Sequence, residues 1–71
     1  MSMPVMPVWL DEQGHTVACT EKIKVMQENM QELFQMAQDA FEDGLLMGCA
    51  EAQLRADLQD LAEGVENPYQ P

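Results

Sequence analysis

Basic side chains are what this sequence has least of: Lys22, Lys24 and Arg55 stand against thirteen carboxylates, for a formal net charge of -10. Nucleic-acid binding draws its affinity from Lys and Arg neutralising phosphates, so no direct contact with DNA or RNA is expected. An anionic membrane surface is disfavoured on the same ground. Histidine occurs once and cysteine twice. Two cysteines cannot build a dense disulfide framework, and the near pair His15 and Cys19 lacks the second close pair of a zinc signature. No metal or other cofactor is expected.

Catalytic sets are equally scarce. There is no Ser-His-Asp arrangement, no Gly-rich phosphate loop, and a single histidine. The carboxylates, including Glu28 with Glu32 and Asp57 with Asp60, are read as a solvated face, and a carboxylate pair acting as acid and base would need a pocket that so small a domain is not expected to enclose. The expectation is therefore a protein that is not an enzyme. No apolar run approaches transmembrane length, and Met1 to Val8 has no basic segment and is interrupted by Pro4 and Pro7. Neither a membrane span nor a secretory signal is expected, and the reading is cytoplasmic. Free thiols are ordinary there.

What the chain does have is apolar content of 46% arranged periodically. Periodicity separates it from a disordered acidic chain. The fold expected is mainly α in one small domain: an extended or hairpin arm over 1–19, a long helix over 20–48, a shorter antiparallel helix over 49–64, and a tail over 65–71. Thr20 is read as N-cap of the first helix, with Glu21 suited to its dipole, and Gly48 as its stop. Gly44 costs roughly 1 kcal/mol inside a helix, so a continuous helix and one broken near Asp43-Gly44 both stay open. Leu54, Leu58 and Leu61 give the second helix one apolar face, ended by Gly64 and Pro68. In the arm, Asp11 to Gly14 reads as a turn that sets Val8 opposite Val17 and Leu10 opposite His15. Trp9 is the candidate anchor and partner contact.

The first helix carries a seven-residue repeat. Ile23, Met30, Ala37 and Gly44 form one line and Met26, Leu33, Ala40 and Met47 the next, with Phe34 and Phe41 flanking. A second helix half as long leaves the N-terminal part of this seam without a helical partner. A lone core in so short a chain rarely supplies more than about 3 to 5 kcal/mol, which makes a second copy the expected source of stability. Two first helices crossing antiparallel near Leu33 and Phe34 set Met30 against Ala37, Met26 against Phe41 and Ile23 against Gly44. They also bring Lys22 and Lys24 toward Glu42 and Asp43 of the partner.

The function expected is a small acidic helical module for protein–protein interaction, homodimeric through this seam and contacting a further, unidentified protein. Two alternatives stand beside it. One is a thiol- or metal-responsive regulator using Cys19 and Cys49 from different chains, against the plainer reading of two half-buried thiols. The other is an acidic inhibitor of a nucleic-acid-binding protein. Seven methionines invite a Cu(I) reading, but Met26, Met30, Met36 and Met47 lie at or near the seam, where Met is usually adaptable core filler.

Overall fold

A computed structural model describes residues 3–69. Two helices form, α1 over Thr20–Leu46 and α2 over Glu51–Glu63, and no strand is present among the described residues. The chain is mainly helical. It groups into two compact units, one ending at Met36 and the next beginning at Ala37, with α1 contributing to both.

In the first unit, α1 opens on Cys19, whose carbonyl accepts the first helical bond from Ile23 N–H at 3.0 Å. Thr20 is thus already helical, one residue earlier than its reading as N-cap. Glu21 supplies an acid in the first turn, where the dipole favours one. Ahead of the helix, the arm makes a turn closed by a single antiparallel bridge, Leu10 with Thr16, in place of a two-stranded hairpin. The pairing differs by one residue from the expected Leu10 with His15, and the Asp11 carboxylate explains why. Its Oδ1 accepts both Gln13 N–H at 3.0 Å and His15 N–H at 2.8 Å, which draws His15 into the loop. Gly14, at φ 84, takes the left-handed step and donates to the Asp11 carbonyl at 3.0 Å.

That slip has a packing consequence. Residues directly opposite in an antiparallel pair point to one face, so shifting the register by one puts Trp9 with Val17, not with Thr16. Val17 N–H donates to the Trp9 carbonyl at 2.9 Å. Trp9 and Val17 are half-buried while Val8 and Leu10 are exposed.

In the second unit α1 continues through Gly44 without a break and ends at Leu46. Its end is a Schellman arrangement: Cys49 N–H reaches the Gly44 carbonyl at 2.9 Å, Gly48 N–H reaches the Leu45 carbonyl at 3.1 Å, and Gly48 holds φ 91. Gly44 is the one buried residue of α1. A Cβ there would lie 2.6 Å from Leu54 Cδ2, so the missing side chain is what lets α2 approach. The helix cost of this glycine is offset by packing. Arg55, one residue on from Leu54, sits 4.8 Å above the Phe41 ring and is oriented by Glu51 Oε2 at 3.0 Å. Leu54 and Arg55 thus pack the start of α2 back onto Phe41 and Gly44 near the end of α1.

Candidate functional site

The first unit holds an open apolar groove of about 560 Å³ between the arm and the opening turns of α1, lined chiefly by Trp9, Val17, Ile23, Val25 and Met26. The register slip builds it, because it turns Trp9 and Val17 onto the helix. The Trp9 indole Nε1 is shut off from solvent and has no hydrogen-bond partner. Burying a donor in that state is costly, by about 1 to 3 kcal/mol.

The seam residues divide by exposure. Ile23, Met26, Met30 and Phe34 of the first unit are half-buried, as are Ala37 and Phe41 of the second, where Gly44 is buried under Leu54. Leu33 and Ala40 are exposed. Within the first unit the sheltered face of α1 is therefore formed by Ile23, Met26, Met30 and Phe34, and within the second by Ala37, Phe41 and Gly44, while Leu33 and Ala40 lie outside it. Among the described residues no apolar side chain is fully buried.

Beside the sheltered face lies an apolar row that the heptad reading did not isolate. Val25, Leu33 and Met36 of the first unit are 52%, 59% and 71% exposed. With exposed Asn29 they follow helical spacing along one side of α1. Leu33 belongs to the heptad seam as read from the sequence, Met36 lies near that seam, and Val25 lies outside it. Along the edge of this row away from the seam stand Glu28 and Glu32, both exposed and in no ion pair among the described residues. Lys22 closes the row at its N-terminal end.

Cys19 and Cys49 are free thiols, and both are exposed rather than half-buried. They belong to different units, Cys19 just before α1 and Cys49 just after it. Among the described residues no three His, Cys, Asp or Glu side chains gather as a metal site requires, and no helix is long and apolar enough to cross a membrane. No protein family, curated protein or solved structure matches this chain.

Proposed function

We propose that this protein is a small acidic helical module for protein–protein interaction, homodimeric through α1 and without catalytic activity. One observation carries the reading: 46% of the residues are apolar, yet none of the described apolar side chains is fully buried. A chain with that much apolar surface in water gains most by covering it, at about 25 cal/mol for each Å² removed. A second copy is the partner always present at equal concentration. Met30 and Phe34 offer it a half-exposed centre, and Ala37 a small position for a large side chain to meet. Ile23 of a second copy does not pair with Gly44 as expected from the sequence, because Leu54 of the same chain fills the space over Gly44. The two exposed thiols fit a reducing, cytoplasmic setting.

Native mass spectrometry of the reduced full chain tests this. The expected species is a dimer, twice the 8.0 kDa of one chain, free of metal. Phe34→Asp places a charge in the seam and is expected to shift the mass to that of a single chain. A wild-type protein that remains at 8.0 kDa at micromolar concentration rejects the dimer.

A further inference from the structure

The row of Val25, Leu33 and Met36 on the first unit's part of α1 borders the half-buried seam positions and is more exposed than they are, and its chemistry specifies a partner. We infer that this face docks an amphipathic helix of another protein, one with an apolar stripe bordered by Lys or Arg. The inference rests on the interaction-module reading and adds the class of partner.

Three features argue for it. The row has helical spacing, so it presents a ridge of the width that another helix's apolar stripe covers. Met36 is the most exposed member, and its unbranched thioether adapts to side chains of different shape. The bordering Glu28 and Glu32 carboxylates are exposed, form no ion pair among the described residues, and complement basic residues on the partner's edge. That same edge argues against a second copy here. In an antiparallel self-pairing centred on this row, Glu28 and Glu32 of one chain would face Glu32 and Glu28 of the other, a like-charge juxtaposition on a chain already at -10. Lys22 at the N-terminal end confines the basic requirement to the stretch beside Glu28 and Glu32.

The test is fluorescence anisotropy of a labelled amphipathic peptide of roughly 18 residues, with a Leu stripe and Lys along one edge, titrated with the full-length reduced protein. Binding is expected, weakening about tenfold when Glu replaces the peptide's Lys, and about fivefold between 0.05 and 0.5 M NaCl. The double variant Val25→Gln with Met36→Gln puts a polar helix former at two exposed positions of the row and is expected to bind about tenfold more weakly with unchanged helicity. Glu32→Lys, at an exposed site, is expected to reduce the preference for the basic peptide. Equal affinity for both peptides, or undiminished binding by the double variant, overturns the inference. Native masses of the same proteins separate it from the dimer reading. A dimer that binds neither peptide rejects the docking face alone, and a monomer that binds the basic peptide rejects the dimer alone. Loss of the dimer in the double variant assigns the face to a second copy and overturns the inference.

Discussion

Three single positions test how this chain settles local conflicts between backbone and packing. Gly48 sits at φ 91 in the helix stop, so Gly48→Ala forces a side chain into the left-handed region and is expected to cost about 1 kcal/mol, read as a lowered midpoint in urea. Gly44 differs in kind, because its backbone is ordinary helix and its constraint is Leu54, which lies 2.6 Å from the place a methyl group would take. Gly44→Ala gains helix propensity and displaces Leu54, two effects of about 1 kcal/mol each that nearly cancel. Gly44→Val adds a β-branch that Leu54 cannot clear by rotating, and is expected to lose about 2 kcal/mol and to speed amide exchange in α2. At Trp9 the unpartnered indole N–H makes the conservative change cheap: Trp9→Phe removes an unsatisfied donor and is expected to stay within about 1 kcal/mol of wild type.

At the scale of elements, the Asp11 carboxylate governs the arm, since it ties two loop N–H groups and thereby sets which residues pair. Asp11→Ala is expected to release that turn at a cost of about 1 kcal/mol and to red-shift Trp9 fluorescence as the indole meets water. An unshifted emission maximum would mean that the arm packs on α1 without help from the turn. Both helices were legible in the sequence because Gly48, Gly64 and the apolar spacing act locally. The arm's pairing was not legible: choosing between Leu10 with His15 and Leu10 with Thr16 depends on a side chain bonding its own loop, which alternation of apolar residues does not encode. The continuity of α1 through Gly44 was equally hidden. Propensity argues for a break there, and only the approach of Leu54 from α2 explains why a glycine is retained within the helix.

For the molecule as a whole, the decisive fact is the lack of any fully buried apolar side chain among the described residues. Of the positions the heptad pattern singles out, Ile23, Met26, Met30, Phe34, Ala37 and Phe41 are half-buried, whereas Leu33 and Ala40 are exposed. The pattern did not separate the half-buried positions of the first unit from the exposed row of Val25, Leu33 and Met36, because that division depends on what the arm covers. A folded state that depends on a second copy has a stability that depends on concentration. Thermal unfolding of the reduced protein, followed by helix signal over a hundredfold range of concentration, tests this most directly. The account predicts a single cooperative transition whose midpoint rises as the chain is concentrated. A cooperative transition at one fixed midpoint throughout that range would show a self-sufficient monomer and contradict it.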